Sequence, residues 1–378
     1  MIDELKVSNY RSLGSDLVLR FGQLSVLVGP NGSGKSNALD AIAFLRDAVA
    51  DGLPAAVTQR GGIDAVRRRS GGHPYNVHLA VSLRWEGGQG EYSFTLTGDR
   101  TEEYRVKEEQ ATVRFDGEAH HFTRDGVNWR GPEGLVPRLS EESLALSNLG
   151  GDPRFRPLVE QLSGMIVYTI FPDTLGRPQD FDRTRPMRRH GGNWVSVLRE
   201  LMRDPSIKRE LITGLNKLTG DIEDVRVARA ADFLVAEFKQ STRSTSSKRW
   251  FSARQQSDGT LRVAGILTAL LQEPPLPVMG LEEPELTVHP GALPLLFDYL
   301  RQASERSQIV LTTHSPILLD QVDVEQDAIF VIERRDGITC IERVKEETLA
   351  PVRERLLSLG DLLASGALQL ELSLESGA

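Results

Sequence analysis

The run Gly29-Pro30-Asn31-Gly32-Ser33-Gly34-Lys35-Ser36 constrains this chain more than any other stretch. A G-x-x-x-x-G-K-[ST] loop is a phosphate cradle, because glycines let successive backbone N–H groups turn inward and the helix N-terminus behind them adds positive potential. The match requires a strand before it and a helix after it. Leu24-Ser25-Val26-Leu27-Val28 is the β-rich run, and Asn37 to Val49 carries Leu39, Ile42, Ala43, Leu45 and Val49 at helical spacing. In that setting Lys35 reaches the β and γ phosphates. The Ser36 hydroxyl ligates Mg²⁺, a hard cation that takes oxygen ligands.

With 378 residues the chain has room for one large α/β domain with insertions, or for more than one domain. A net charge of −8 excludes a basic coat for nucleic acid, so any such contact is local. The single cysteine, Cys340, excludes an internal disulfide and fits a reducing compartment; within Ile338-Thr339-Cys340-Ile341 it reads as a small buried hydrophobe on a strand. The N-terminus has no basic and apolar leader, and no apolar run approaches a membrane span. The expected location is the cytoplasm, with no membrane partner.

Along the chain, Leu5-Lys6-Val7 and Leu17 to Phe21 read as a hairpin-like pair, and a third strand feeds the phosphate loop. Residues 51–72 read as a glycine-rich, basic loop with a short helical turn. From Asn76 to Phe122 the period changes to two: Val77, Leu79, Val81 and Leu83 alternate with polar residues, followed by Tyr92-Phe94-Leu96, Tyr104-Val106 and Val113-Phe115. Turn signals between these runs make an antiparallel meander beside the nucleotide site. Leu135 to Gln161 reads as mostly helical, Met165 to Ile170 as a buried strand, and Phe171 to Gly192 as an arginine- and proline-rich loop. Two amphipathic stretches, Trp194 to Met202 and Ile207 to Leu218, precede strands at Val225 to Ala228 and Phe233 to Phe238, and Ser241 to Lys248 reads as an exposed hairpin tip. A leucine-rich helical pattern begins after Glu346. No long heptad repeat is present.

Val278-Met279-Gly280-Leu281-Glu282-Glu283-Pro284-Glu285 is an apolar strand ending in carboxylates. A metal-assisted phosphoryl hydrolase needs one carboxylate for the Mg²⁺ shell and another to polarise the attacking water. Neighbours on a strand point to opposite sides, so Glu282 is assigned to the metal and Glu283 to the water. Gln308 to Pro316 is a second β-rich run, ending in His314, a donor to the γ-phosphate. Ser257-Asp258-Gly259 opens a helix marked by Leu261, Ile266, Leu267, Leu270 and Leu271 and stopped by Pro274-Pro275. Alone it is an ordinary turn and helix-cap sequence; at a helix start, serine and glycine also form an anion site.

Phosphate loop, Ser-x-Gly helix start, acidic strand end and strand-end histidine, in that order, resemble the ABC-type ATPases. Within them the chain is most similar to the group containing SMC, RecF and the ATPase part of OLD-family proteins. Ser8-Asn9-Tyr10-Arg11-Ser12-Leu13, Leu-Glu-Glu-Pro-Glu at 281–285 with His289-Pro290 after it, and Thr-Thr-His-Ser-Pro at 312–316 carry that likeness, which covers roughly the first 45 residues and 250–335. The resemblance implies an α/β, ABC-ATPase-like P-loop fold with an antiparallel β subdomain and a helical insertion, in a stand-alone ATPase without a long coiled coil or nuclease domain. It makes Arg11, Asn31, Gly32, Ser33, Gly34, Lys35, Ser36, Asn37, Ser257 and Gly259 ATP-binding, Glu283, His314 and Lys35 catalytic, and Ser36, Glu282 and a Q-loop glutamine metal-facing. Gln59, before Arg60-Gly61-Gly62, is the candidate for that glutamine, against an ordinary surface residue. Two departures stand out. Glu282 replaces the usual aspartate, and Asp258 brings a carboxylate into the signature, where it repels a γ-phosphate unless it points away.

The implied activity is Mg-dependent ATP hydrolysis, with ATP and Mg²⁺ as cofactors. In this family the signature lies across a dimer interface, so two chains close on ATP as a homodimer or higher oligomer. The motifs divide the chain into an ATPase lobe at 1–170, an insertion at 171–250, a second lobe at 251–340 and a helical tail at 341–378. For the target, two readings stay open. Arg67 to Arg69, Arg183 to Arg189 and Lys248-Arg249-Trp250 suit DNA phosphates, in repair, maintenance or phage defence. Alternatively the ATPase is a scaffold that holds and releases a separate effector protein, since the stretch after the histidine strand is too short for a nuclease domain.

Overall fold

A computed structural model describes residues 1–69, 73–100, 102–240 and 250–368. The chain forms two compact units, one built from residues 1–165 with 323–378, the other from 166–322.

In the first unit, β1 (Ile2–Ser8), β2 (Leu17–Arg20), β4 (Val77–Trp85), β5 (Gly88–Thr97), β6 (Arg105–Phe115), β7 (Glu118–Asp125) and β8 (Asn128–Arg130) make one antiparallel sheet in the order β2-β1-β4-β5-β6-β7-β8. The N-terminal hairpin therefore belongs to the meander: Leu5 lies opposite Leu19 on one side and Val81 on the other. Val77, Leu79, Val81 and Leu83 are all buried, as strict alternation demands of a sheet with one covered face. Tyr104-Val106 and Val113-Phe115 are not two strands; β6 is continuous from Arg105 to Phe115.

β3 (Leu24–Val28) is buried at all five positions and runs parallel to Ala328–Arg335, which returns as the antiparallel strand Ile338–Arg343. Burial at every position suits a doubly covered parallel strand, and the one polar residue, Ser25, accepts from Gly22 N at 3.0 Å. Cys340 is half-buried, a correction to the buried reading. Thr339 and Ile341 take the covered face of that strand, and Cys340 takes the other.

After β3 comes α1 (Lys35–Asp47). Residues 51–72, expected as a loop with a short helical turn, hold more helix than that: α2 (Leu53–Gln59) and a short helix Ile63–Val66. Leu53, Ala56, Val57, Ile63 and Val66 are buried and give these turns an apolar side. Asp40 of α1 pairs there with Arg60, accepting from Nε at 3.0 Å and Nη2 at 3.1 Å, and accepts the Tyr10 hydroxyl at 2.5 Å. Burial pushes the Asp40 carboxyl up, but the Arg60 and Arg11 guanidiniums outweigh it and hold the carboxyl below its usual range.

The mostly helical reading of 135–161 is also corrected. Apart from a 3₁₀ turn at Leu146–Asn148 the segment is irregular until the helix Arg156–Ser163. Its backbone polar groups are satisfied by a buried ion pair under the sheet. Glu109 accepts from Ala145 N at 2.7 Å and Leu146 N at 2.9 Å; Arg124 donates to Ser143 O at 2.5 Å and Ser140 O at 2.6 Å. Both side chains are fully buried and 3.4 Å apart. Removing one partner strands the other charge, so Arg124→Ala is expected to cost about 3–5 kcal/mol, read as a lower denaturant midpoint.

In the second unit, β9 (Ile166–Tyr168) and β14 (Gln308–Thr313) flank β13 (Val278–Glu282), all parallel. β10 (Ile222–Ala230), β11 (Phe233–Gln240) and β12 (Trp250–Ser252) form a separate antiparallel sheet. The amphipathic stretches become helices Trp194–Leu201 and Pro205–Thr219, the latter capped by Asp204. The expected hairpin tip at Ser241 to Lys248 lies outside the described residues. So do Lys248 and Arg249.

Candidate nucleotide site

In the first unit the phosphate loop joins β3 to α1. No side chain caps the helix, whose first turn carries no acidic residue, so its positive end is left for an anion. Gly34 has φ +108°, and a Cβ there would fall 2.2 Å from Thr339 Oγ1, so only glycine fits. Lys35 donates to Gly29 O at 2.8 Å and Pro30 O at 3.1 Å, folded back over its own loop. The loop is braced from one side. Asn37 Nδ2 donates to Ser12 Oγ at 2.6 Å, Ser12 lies 2.7 Å from Thr339 Oγ1, and Thr339 donates to Ser33 O at 2.8 Å.

Whether ATP fits is tested by the groups the loop leaves unmet. Ser33 Oγ is buried without a hydrogen-bond partner, and the glycine-lined, uncapped turn suits a triphosphate. Ser36 and Asn31 are exposed. Arg11 has φ +51° and its Nε lies 3.0 Å from Asp40 Oδ2, in ion-pair range but without hydrogen-bond alignment. Gln59 is exposed at the end of α2.

In the second unit the remaining motif residues meet at the ends of β13 and β14. Glu283 has φ +44°, held there because its N–H donates to Thr312 Oγ1 at 3.1 Å and lies 3.2 Å from Thr312 O. His314 Nδ1 donates to Glu283 Oε1 at 3.1 Å. Glu282, the last residue of β13, accepts from Thr169 Oγ1 at 2.7 Å, while Glu283 lies past the strand end at positive φ, so strand alternation does not set the two apart. Glu285 is buried, accepts from Thr313 Oγ1 at 2.5 Å and His314 N at 3.3 Å, and keeps Oε2 without a hydrogen-bond partner. Burial pushes its carboxyl above the usual range.

Ser257 caps the helix Asp258–Leu270, accepting from Thr260 N at 3.1 Å, and is itself exposed with Asp258. Gly259 packs against the loop after β13: a Cβ there would sit 2.4 Å from Thr287 O. One turn on, buried Arg262 points Nη1 at Glu283 O, 3.5 Å away. Ser257, Glu282, Glu283 and His314 therefore share one unit, while Arg11, Asn31 to Asn37 and Gln59 belong to the other.

Among the described residues no three His, Cys, Asp or Glu side chains gather to hold a metal. Mg²⁺ takes oxygen ligands, commonly one or two from protein beside substrate phosphates, and the Ser36 hydroxyl and the Glu282 carboxylate, one in each unit, are oxygen donors of that kind. Thr339, Ser12, Thr169, Glu285 and Arg262 were given no separate role from sequence. Glu285 had a signal, as the third carboxylate of its run; Thr339, far from every motif, had none.

Mixed α/β construction around a P-loop, with an antiparallel subdomain, defines an SMC-like, ABC-type P-loop ATPase. The chain belongs to the family described as "AAA domain, putative AbiEii toxin, Type IV TA system", whose model matches residues 24–320. It is 27% identical over 185 residues to "Structural maintenance of chromosomes protein 1" of Schizosaccharomyces pombe, a match covering 47% of this chain and 15% of that protein. The chain thus spans a small part of that relative's length.

Among solved structures it resembles the SMC head bound to the C-winged helix domain of ScpA, at TM-score 0.56 and 17% identity over 92% of this chain and 98% of that one. It also resembles the Pyrococcus furiosus Smc head with an extended coiled coil bound to the C-terminal domain of ScpA, at TM-score 0.55 and 14% identity over 94% and 99%. Identities this low speak for the fold. The ATPase family implies ATP binding and hydrolysis. No helix among the described residues is long and apolar enough to cross a membrane.

Proposed function

We propose that this chain is an Mg²⁺-dependent ATPase clamp: two copies close on two ATP molecules, and hydrolysis releases them. The observation that supports it best is the Glu283–His314 pair, a carboxylate and an imidazole 3.1 Å apart at adjoining strand ends. In this reading Lys35 and the backbone amides of residues 32–36 bind the phosphates, with Asn31, Asn37 and Arg11 around them. Ser36, Glu282 and Gln59 would hold Mg²⁺, which would supply charge neutralisation on the phosphates. Glu283 orients and deprotonates the attacking water, and His314 holds Glu283 and donates to the γ-phosphate.

Ser257 and Gly259 of one copy serve the triphosphate bound by Lys35 of the other. Ser257 is exposed and its hydroxyl is engaged with Thr260 of its own helix, through the backbone N–H and the Thr260 hydroxyl, which leaves that surface for a second chain. Division into lobes at 1–170 and 251–340, an insertion at 171–250 and a tail at 341–378 is part of this functional reading.

Mixing separates a shared site from a private one. Lys35→Ala and Ser257→Arg proteins should each be inactive alone. Combined in equal amounts, random pairing makes half the dimers mixed, each with one intact site, restoring about a quarter of wild-type turnover. No recovery, with mixed dimers verified, would remove the shared site.

For the target, DNA engagement in repair, maintenance or phage defence accords with the SMC likeness. A second reading, release of a separate effector protein, is favoured by the family description and by how the basic residues are spent. Arg67 is buried, Arg185 pairs with Glu200 and Arg188 with Asp182. DNA that stimulates turnover with a steep salt dependence supports the first; a stable complex with another protein and no DNA response supports the second.

A further inference from the structure

The Glu283–His314 pair is only as good as the loop that carries the histidine. β14 ends at Thr313, and from there the chain turns sharply, with Ser315 N donating to Thr313 Oγ1 at 3.0 Å. The turn is tied to the opposite strand end by one side chain. Glu285 Oε1 accepts both the Thr313 hydroxyl and the His314 N–H, so a single carboxylate oxygen fixes the residue before the imidazole and the imidazole's own backbone. Glu283 is anchored in return by Thr312, which completes a reciprocal tie between the two strand ends.

A buried carboxylate with one oxygen unmatched is costly, and a purely packing position would be filled by an apolar residue. The bonds from Thr313 and from the His314 N–H, with the His314 charge, are what oppose burial of the Glu285 carboxylate.

We propose that Glu285 is a positioning residue that sets His314 against Glu283 and so governs the hydrolytic step without touching the nucleotide. The inference rests on the reading that Glu283 and His314 act in ATP hydrolysis. Its substitutions separate hydrogen bonding from charge. Glu285→Gln keeps an oxygen that accepts from Thr313 and His314, so single-turnover hydrolysis should stay within about threefold of wild type. Glu285→Ala removes the acceptor and should slow hydrolysis about 30-fold with unchanged ATP affinity, since a misplacement of about 1 Å can cost a hundredfold. Thr313→Val should resemble Glu285→Ala, whereas Thr313→Ser should not.

The decisive comparison places Glu285→Ala in a His314→Ala background. If Glu285 acts through the histidine, it has no further effect there. An additional loss of the same size, or a Gln variant as slow as the Ala variant, overturns the positioning role. If Glu285→Ala does not fold, the Glu285→Gln and Thr313 pairs still decide it. A wild-type protein that hydrolyses no ATP, or a His314→Ala protein at full rate, instead defeats the underlying reading.

Discussion

Glu283→Gln protein is expected to bind ATP, accumulate as a dimer and turn over at least about 100-fold more slowly than wild type, a loss in the range of a missing general base. The substitution is nearly isosteric. An amide oxygen still accepts from His314 Nδ1, and the backbone, at φ +44° and tied to Thr312, is asked to adopt nothing new. The basicity needed to take a proton from water disappears. Mass in solution with and without ATP, beside phosphate release, reads both halves of the expectation. Turnover near the wild-type rate would take Glu283 out of the chemistry.

Lys35→Ala should weaken ATP binding by about 100-fold or more, the worth of a charge-assisted contact to phosphate. Lys35 is 5% exposed, and its ammonium already satisfies the carbonyls of Gly29 and Pro30. It is stored in the loop, held where a triphosphate would replace those acceptors. Lys35→Arg should not restore affinity, because a planar, forked guanidinium does not fit a seat built for a compact ammonium. Calorimetric titration with ATP, paired with thermal melting to confirm folding, measures this. Wild-type affinity in the alanine protein would mean that the nucleotide sits elsewhere.

Much of the architecture was legible because it repeats. A β-rich run before a glycine-rich loop, alternation from Val77 to Leu83 and the helical spacing after Lys35 each survive in the fold. The irregular stretch before Arg156 was not. Its backbone is satisfied by Glu109 and Arg124, two side chains from neighbouring strands, and no local pattern in 135–155 announces that. Residues 51–66 misled for a related reason. Gly52 and Gly62 precede the two short helices and Gly61 follows the first, all at positive φ, and their number hid the buried apolar positions between them.

The basic clusters show the same limit. Arg67 to Arg69 suits DNA phosphates as a sequence, yet Arg67 is buried and Arg68 stacks on Tyr75 while donating to Asn9. A charge run tells how much charge is present. Which charges are already paired is settled by chain segments far away.

By itself the sequence determined the elements and the chemistry they carry: a phosphate loop between strand and helix, carboxylates at one strand end, a histidine at another. These arise from side-chain spacing and backbone preference, which are local. Only the tertiary structure decided which groups hold those residues in place. Thr339 reaches back more than 300 positions to brace the loop at Ser33, and Glu285 grips the turn that aims His314. Hydrogen bonds of that kind depend on ångström distances between distant strands, and no periodicity in a chain encodes them directly.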